Sequence, residues 1–371
     1  MSQLLNVSMN SPSLSGHLSV QLGGFELQTG DFEIPLSGVT AIFGHSGSGK
    51  TTFIRCLAGF ESAAKGEVTF GDQAWLTARK TLPIHKRGLG YVFQEASLFP
   101  HLNVNDNLLY GLKRASKTGK QQTISFEQVV EWLGLTLLLN RDVQTLSGGE
   151  RQRVAIGRTL LSQPSILMMD EPMAALDLFS KRAIMPYLER LRDELDIPIL
   201  YISHSPQEVE RLADHVLFME KGKIISIEPI EQALNREGTP LYQGEEPKSV
   251  MKATLVEQLE TEGLSRVEVG SDSLYVPHLQ QVVGSEVRLV IAAQQVSLMS
   301  AKPEQTSMLN HLPVLIESIE PHNDYSVMLR LRLAASSLPL LAQVTKRSVH
   351  SLGLSPGQNW VAAIKSVAIL D

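Results

Sequence analysis

The sequence has one cysteine, little net charge and no long apolar run, and each absence excludes a class of protein. Cys56 is the single cysteine among 371 residues, so an internal disulfide is excluded. The formal net charge of −6 gives no sign of the basic face that nucleic-acid-binding proteins usually carry. No run approaches about 18 uncharged apolar residues, so no membrane-spanning helix is predicted.

The first residues also show no targeting signal. The opening letters MSQLLN contain no basic region followed by an apolar core, so no signal peptide is predicted. We therefore expect a cytoplasmic protein, which another chain would have to hold at any membrane on which it acts. With 371 residues and 43% apolar side chains, the chain is long enough for two or three domains.

A glycine-rich loop between a strand-like run and a helical pattern is the most specific local signal. Residues 44–51 read GHSGSGKT and fit the phosphate-loop pattern G-x-x-x-x-G-K-[ST]. Glycines let successive backbone N–H groups point at phosphate oxygens, and the helix adds the positive end of its dipole. Lys50 would reach the β- and γ-phosphates, and the Thr51 hydroxyl would bind Mg²⁺. The alternative is a plain turn before a helix, but the correct flanks favour nucleotide binding.

Polar residues end three further strand-like runs. Asp170 and Glu171 follow one of them, at the carboxyl edge where parallel sheets bind ligands. Asp170 is predicted to hold Mg²⁺ through its water shell, and Glu171 to polarise the attacking water. His204 is predicted to contact the γ-phosphate, and Gln94 to coordinate Mg²⁺ or that water. The plainer alternatives are an acidic turn, a structural histidine and a polar strand end.

The letters LSGGE over residues 146–150 have two compatible interpretations. Ser147 and Glu150 form the pattern of a capping box for the helix that follows. The same helix start offers glycine N–H groups, a hydroxyl and a dipole end, which together suit an anion. A capped helix start can hold a phosphate, so both interpretations stand.

The order of apolar runs predicts two regions of different fold. In the first, strand-like runs alternate with helical patterns, which indicates a parallel sheet covered on both faces. Residues 17–36 alternate and predict antiparallel strands at one edge, whereas the basic, polar residues 113–123 predict a solvated loop. Beyond about residue 235 short alternating runs recur, the last over residues 360–369, as in small β-barrels. The predicted domains are residues 1–235 (α/β, nucleotide-binding), 236–305 (linker and β-rich segment) and 306–371 (β).

These motifs, in this order, resemble the ATP-binding subunit of an ABC (ATP-binding cassette) transporter over about residues 18–230. The resemblance implies the family's P-loop fold with an antiparallel edge and a helical subdomain. It implies these motifs: Walker A at 44–51, the Q-loop at Gln94, the signature at 146–150, Walker B at 166–171, the D-loop at 174–177 and the H-loop at His204. The family often has Pro where His45 stands and Ser where Ala174 stands; neither supplies a required phosphate ligand.

The resemblance also implies the ligands and the assembly. ATP and Mg²⁺ are the expected cofactors, and Phe25 is the candidate for stacking on adenine, although it could equally be core. In the family, the signature of one subunit closes over the ATP held by another, so a homodimer is expected. The residues expected to contact nucleotide are Phe25, Gly44, His45, Ser46, Gly47, Ser48, Gly49, Lys50, Thr51, Thr52, Ser147, Gly148, Gly149 and Asp177.

Several branches of the family can be set aside. DNA-repair members insert long coiled coils between Walker A and the signature. In this chain the segment between Lys50 and Ser147 is too short for such an insertion. Exporters usually carry fused membrane helices. What remains is an importer ATPase at the cytoplasmic face of the cell (inner) membrane, working with two copies of a separate permease and, indirectly, a periplasmic or extracellular oxyanion-binding protein. In the family, the stretch after the Q-loop, here residues 95–104, receives the permease.

The C-terminal region resembles the molybdate-binding mop domain, a small barrel of the oligonucleotide-binding (OB) type. The resemblance covers residues 306–317 and 352–367, and the whole chain is similar to the ATP-binding subunit of a bacterial molybdate importer. We expect this domain to sense oxyanion inside the cell and to restrain the pump. The alternatives are import of sulfate, tungstate, sugar or polyamine, and an oxyanion sensor with no transport role. The residues predicted to bind the oxyanion are Ser307, Asn310, Lys365 and Ser366.

Overall fold

The computed structural model divides the chain into two compact units, Met1–Ile230 and Glu231–Asp371. Each unit has its own apolar core. Within the described ranges no helix has the length and hydropathy needed to cross a membrane. The structure describes residues 12–117, 122–236, 239–242, 247–303 and 305–370.

The first unit combines two sheets with a set of helices. Its strands are β1 (Ser13–Leu22), β2 (Phe25–Pro35), β3 (Val39–Phe43), β4 (Lys65–Phe70), β5 (Gln73–Leu76), β6 (Leu89–Val92), β7 (Ile166–Asp170), β8 (Ile199–Ile202), β9 (His215–Glu220) and β10 (Lys223–Pro229). Its helices are α1 (Lys50–Ala58), α2 (Val104–Lys117), α3 (Phe126–Trp132), α4 (Gly148–Leu160), α5 (Leu178–Glu194) and α6 (Pro206–Leu212), and α7 (Ile230–Asn235) begins at its last residue.

The larger sheet has the order β10-β9-β3-β8-β7-β6, and its strands are parallel except for the β9–β10 hairpin. Every residue of β3, β7 and β8 is buried, as expected for parallel strands covered on both faces. The smaller sheet, β2-β1-β4-β5, is antiparallel and is the predicted edge. The parallel strands therefore end at one common edge of the larger sheet, which positions the site described below.

One cysteine and one arginine lie in the core beneath the smaller sheet. Cys56 is buried, and burial raises the pKa of its thiol to about 12. Arg87 is 3% exposed, and burial lowers the pKa of its guanidinium. The guanidinium donates to the carbonyl oxygens of Leu82 (2.9 Å) and Leu57 and lies 5.6 Å from the ring centroid of Trp75. Arg87 thus joins the last turn of α1 to the chain segment that precedes β6.

We expect Arg87→Met to lower the free energy of unfolding by about 2–3 kcal/mol, because buried carbonyl acceptors would lose their donor. The measurement is urea unfolding of the parent and the variant. Arg79→Met is the matched control, since Arg79 is exposed, and it should change the free energy by less than about 0.5 kcal/mol. Equal midpoints for Arg87→Met and the parent would show that Arg87 is not structural.

The helices between β6 and β7 form the predicted helical subdomain. One expectation for this part of the chain was wrong. Residues 113–123 were expected to form a solvated loop, yet α2 continues to Lys117. Ala115 is buried and Leu112 packs against the core, while Lys113 and Arg114 are exposed. The basic residues are therefore the solvated face of an amphipathic helix. The part of the expected loop over residues 118–121 lies outside the described residues.

The second unit consists mainly of two antiparallel five-stranded sheets over one core. The sheets have the orders β13-β12-β11-β14-β20 and β15-β19-β16-β17-β18. The strands are β11 (Lys248–Leu259), β12 (Leu264–Val269), β13 (Asp272–Pro277), β14 (Glu286–Ala292), β15 (Val296–Met299), β16 (Asn310–Pro321), β17 (Ser326–Leu333), β18 (Pro339–Thr345), β19 (Asn359–Ile364) and β20 (Ala368–Leu370), with the helix α8 (Lys346–Leu352) after β18.

The strands of this region pair across one of the predicted domain boundaries. β15 pairs with β19 and β20 pairs with β14 across residue 305, so the predicted segments 236–305 and 306–371 share sheets. One expectation is corrected. The single strand expected over residues 360–369 is interrupted after Ile364, and its two parts, β19 and β20, belong to different sheets. Strands that exchange between sheets in this way close one shared core. The sequence analysis also did not predict β11, β15, β18 or α8.

Candidate nucleotide site

The phosphate loop leaves β3 and enters α1 as predicted, and its glycines are required by the backbone. Gly47 and Gly49 have φ values of +80° and +104°, which side chains other than glycine rarely adopt. A Cβ on Gly44 would lie 2.3 Å from the carbonyl oxygen of Met219. The loop can therefore curl only because these positions lack side chains.

Lys50 and Ser48 direct polar groups into this loop. The Lys50 ammonium is 5% exposed and donates to the carbonyl oxygens of Gly44 (2.7 Å) and His45 (3.1 Å). Burial lowers the pKa of Lys50, and the charges of the nearby acid pair at the end of β7 act in the opposite direction. The buried Ser48 hydroxyl has no hydrogen-bond partner among the described residues. An unsatisfied donor beside a buried cation suits a phosphate oxygen, so the residues present fit a nucleotide.

Two of the three residues predicted to hold Mg²⁺, Thr51 and Asp170, are in direct contact. Thr51 Oγ1 donates to Asp170 Oδ1 at 2.9 Å, across 119 residues of sequence. The other carboxylate oxygen, Asp170 Oδ2, accepts from the Tyr91 hydroxyl at 2.9 Å. Hydroxyl and carboxylate oxygens are the donors that Mg²⁺ prefers, so this pair fits the ion. The sequence analysis missed Tyr91, and the aromatic letter three residues before Gln94 was the only signal for it.

Glu171 and His204 meet at the ends of β7 and β8. Glu171 Oε2 lies 3.4 Å from His204 Nδ1, and His204 is 54% exposed. Glu171 has a φ of +46°, an uncommon backbone conformation for a residue other than glycine. Strain of this kind concentrates at functional positions. The structure therefore brings together the two residues predicted to act on water and on the γ-phosphate.

The loop that carries His204 is braced from below by a carboxylate that the sequence analysis missed. Glu208 Oε2 accepts from the Tyr201 hydroxyl (2.9 Å) and from Ser203 Oγ (2.6 Å). Ser203 Oγ in turn accepts from the backbone N–H of Ser205 at 3.0 Å. These bonds hold both neighbours of His204, so its exposed ring projects from a fixed backbone.

A cleft of about 490 Å³ opens over the phosphate loop. Phe25 is half-buried beside it, and a Cβ on Gly49 would lie 2.8 Å from Phe25 Cζ. The ring also packs against the core, so both roles considered for Phe25 are compatible with its position. The cleft is lined by Leu22, Phe25, Ser46, Gly47, Gly49, Lys50, Thr51, Thr52 and Glu171.

Gln94 is exposed two residues beyond the end of β6. The backbone beside it is tied to α4, because the buried Gln152 side chain donates from Nε2 to the Phe93 carbonyl oxygen at 3.1 Å. Helix α4 is the helix that begins with the signature residues. The structure thus links the Q-loop to the signature helix through Gln152, which the sequence analysis did not single out.

The signature forms the predicted capping box. Ser147 Oγ accepts from Glu150 N (3.3 Å), Glu150 Oε2 accepts from Ser147 N (2.7 Å), and this backbone bond lowers the pKa of Glu150. Ser147 is exposed, Gly148 is half-buried and Gly149 is buried. The exposed Asp177 caps α5 in a similar way. Ser147, Gly148, Gly149 and Asp177 are not among the residues that line the cleft over the phosphate loop.

The residues predicted to bind oxyanion differ in their surroundings. Asn310 is buried and its amide is in use, since Oδ1 accepts from Tyr275 N (2.7 Å) and Nδ2 donates to Tyr275 O (2.9 Å). This side chain joins β13 to β16 and so links the two sheets. Ser307, Lys365 and Ser366 are exposed. Lys365 follows Ile364, the register partner of Asn310, so these positions are neighbours in the sheet.

Comparison with known proteins identifies both regions. The ABC transporter family model matches residues 27–174, and the TOBE domain model matches residues 306–370. The molybdenum import ATP-binding protein of Methylococcus capsulatus is 47% identical over 94% of this chain and 96% of its own length. Molybdenum import ATP-binding protein 1 of Azotobacter vinelandii is 43% identical over 98% of this chain and 100% of its own length.

A solved structure shares the fold of the first region. CbiO1 from Clostridium perfringens, described as part of the ABC transporter complex CbiONQ, is 25% identical with a TM-score of 0.51. The match covers 62% of this chain and 92% of that one. These findings confirm the predicted resemblance and the predicted order of an α/β domain followed by a β domain. The chain belongs to the ABC transporter family, as one of its ATP-binding proteins with a C-terminal TOBE domain.

Proposed function

We propose that this chain is the ATP-hydrolysing subunit of a molybdate importer. The observation that carries the proposal is the meeting of Lys50, the Thr51–Asp170 pair and the Glu171–His204 pair at one edge of one sheet. Phosphoryl transfer depends on positioning and on charge neutralisation, and this edge offers both. The names of the relatives, which are 43–47% identical over nearly the whole chain, support molybdate as the cargo.

Each residue of the site has a distinct part in this proposal. The loop amides, the Ser48 hydroxyl and the Lys50 ammonium hold the phosphates, and Phe25 stacks on adenine. Thr51, Asp170 and Gln94 would hold Mg²⁺, which when bound neutralises developing charge on the phosphate oxygens. Glu171 accepts a proton from the attacking water. His204 orients the γ-phosphate. The further loop contacts proposed are Gly44, His45, Ser46, Gly47, Gly49 and Thr52.

The proposed assembly is a homodimer related by a two-fold axis. Ser147, Gly148, Gly149 and Asp177 would meet the ATP held by the second copy. That none of them lines the cleft supports this arrangement, because a second copy related by a two-fold axis can then close the site. The dimer would be peripheral at the cytoplasmic face of the inner membrane, docked on two permease copies through residues 95–104. An external oxyanion-binding protein would deliver the cargo.

Transport by the reconstituted complex tests the cargo. Labelled molybdate should accumulate in vesicles that contain the complex and ATP, with weaker competition from sulfate than from unlabelled molybdate. Tungstate competition measures how far the system separates two similar tetrahedral dianions. Accumulation of sulfate, a sugar or a polyamine in place of molybdate would contradict the proposed cargo and leave the ATPase assignment in place.

We also propose that molybdate binds the second unit near Ser307, Asn310, Lys365 and Ser366 and restrains hydrolysis. Molybdate should lower the ATPase activity of the assembled transporter, and Lys365→Ala should raise the inhibitory concentration by about 10-fold, the cost of one charge-assisted bond. Lys346→Ala, an exposed lysine on α8, is the control. Unchanged activity up to millimolar molybdate would rule out this regulation.

A further inference from the structure

The Asp170 carboxylate is held by two hydroxyl groups from different parts of the fold. Thr51 Oγ1, on the helix after the phosphate loop, binds Oδ1 at 2.9 Å, and the Tyr91 hydroxyl, on β6, binds Oδ2 at 2.9 Å. We infer that Tyr91 is a positioning residue for the metal half of the site, acting through Asp170. This inference rests on the proposed function, in which Thr51 and Asp170 hold Mg²⁺.

The carboxylate needs a second donor for a geometric reason. The terminal torsion of an aspartate is soft, so one hydrogen bond leaves the carboxylate plane free to turn. A donor on each oxygen sets that plane. The Thr51 hydroxyl donates a hydrogen bond to Asp170. The lone pairs of the Thr51 oxygen therefore point away from Asp170 and are available to a cation. The Tyr91 bond therefore keeps Asp170 in the orientation that holds the Thr51 oxygen in place.

The sheet register places Tyr91 where this bond can form. Tyr91 lies opposite Met168 on the parallel neighbour β7, and Asp170 is two residues further along β7. Residues two apart in a strand share a face, so the tyrosine ring extends along that face toward the carboxylate. Tyr91 is thus the β6 residue within reach of Asp170 on the face of the sheet that α1 covers. Met168, on the same face, packs with the core residues of α1.

Aromatic neighbours hold the ring of Tyr91. The Phe60 ring contacts it edge-on, with centroids 5.1 Å apart, and the Phe93 ring lies 4.6 Å away. A ring fixed by packing, with a hydroxyl donor 2.9 Å from Asp170 Oδ2, is suited to orienting that carboxylate.

The test measures metal binding without hydrolysis. In the full chain carrying Glu171→Gln, Mn²⁺ binding is followed by the loss of its free-ion electron paramagnetic resonance signal. ATP is supplied below the protein concentration, so that little of it is free to chelate Mn²⁺ in solution, and the signal loss in the same ATP solution without protein is subtracted. Tyr91→Phe keeps the ring and removes the donor. It should weaken Mn²⁺ binding about 10-fold, as is typical when a partner of a metal-holding carboxylate is removed. ATP affinity measured in EDTA should change by less than about two-fold, because Lys50 and the loop are untouched.

Tyr110→Phe is the control. Tyr110 is an exposed tyrosine on α2 of the same unit, and it has no part in the nucleotide site described above. It should leave Mn²⁺ binding unchanged. Equal Mn²⁺ affinity in Tyr91→Phe and its parent, or equal weakening by both substitutions, would overturn the positioning role. A parent that binds no Mn²⁺ with ATP would overturn the proposed function itself, along with this inference.

Discussion

The Glu171→Gln variant is expected to hydrolyse ATP at least about 100-fold more slowly than the parent while still binding it, because the amide keeps the shape of the side chain but cannot accept the proton of the attacking water. The proposed dimer should then accumulate. Hydrolysis is measured by phosphate release, and association by sedimentation with and without ATP.

The control for this prediction is Glu67→Gln, which changes an exposed carboxylate on β4 and should leave both measurements unchanged. Glu171 already has a left-handed backbone conformation, so glutamine adds no new kind of backbone strain. A Glu171→Gln variant that remains monomeric at saturating ATP would contradict the closure of two copies over the nucleotide. Hydrolysis at the parental rate would contradict the role of Glu171 as the base.

The Lys50→Met variant is expected to bind nucleotide more weakly without a decrease in its free energy of unfolding. Removing the charge-assisted bonds from Lys50 to the phosphates should weaken ATP binding by about 10- to 100-fold. Without nucleotide the variant should unfold at the same or a higher urea concentration than the parent. The reason is that burial lowers the pKa of Lys50 in the folded chain, so folding disfavours its charge at any pH where the unfolded lysine is protonated.

Urea unfolding with and without ATP checks this prediction directly. A ligand at about 100 times its Kd stabilises a protein by about 2.7 kcal/mol, and binding that is 10- to 100-fold weaker should remove about 1.3 to 2.3 kcal/mol of this in Lys50→Met. Lys65→Met, an exposed lysine on β4, should keep it. The two predictions also separate binding from hydrolysis. If ATP stabilised Lys50→Met as much as the parent, the role of Lys50 would have to be reassigned. If Glu171→Gln failed to bind ATP, the role of Glu171 would have to be reassigned.

Features that depend on short stretches of chain could be predicted from sequence. The phosphate loop is contiguous, and its glycines, lysine and flanking strand and helix carry their own geometric requirements, as the φ values of Gly47 and Gly49 illustrate. The capping box at Ser147 is local for the same reason. Asp170 and His204 could be placed at a common edge because parallel strands end on one side of a sheet.

Other features could not be predicted because they depend on which elements become neighbours. Local basicity over residues 113–123 predicted a loop, but burial of Ala115 against the core keeps that stretch helical as far as Lys117. The interruption after Ile364 arises because β19 and β20 pair in different sheets. The alternation of apolar and polar residues within one strand does not indicate which distant strand it will pair with.

The sequence by itself determined the nucleotide chemistry, the strand ends that carry it and the family resemblance, since each is written in residues close together along the chain. Only the tertiary structure decided which groups orient the functional side chains. Tyr91 reaches Asp170 across 79 residues, and Gln152 reaches Phe93 across 59. The physical reason is that a hydrogen bond acts over about 3 Å, whereas the strand order that brings these partners together is set by the packing of the whole unit.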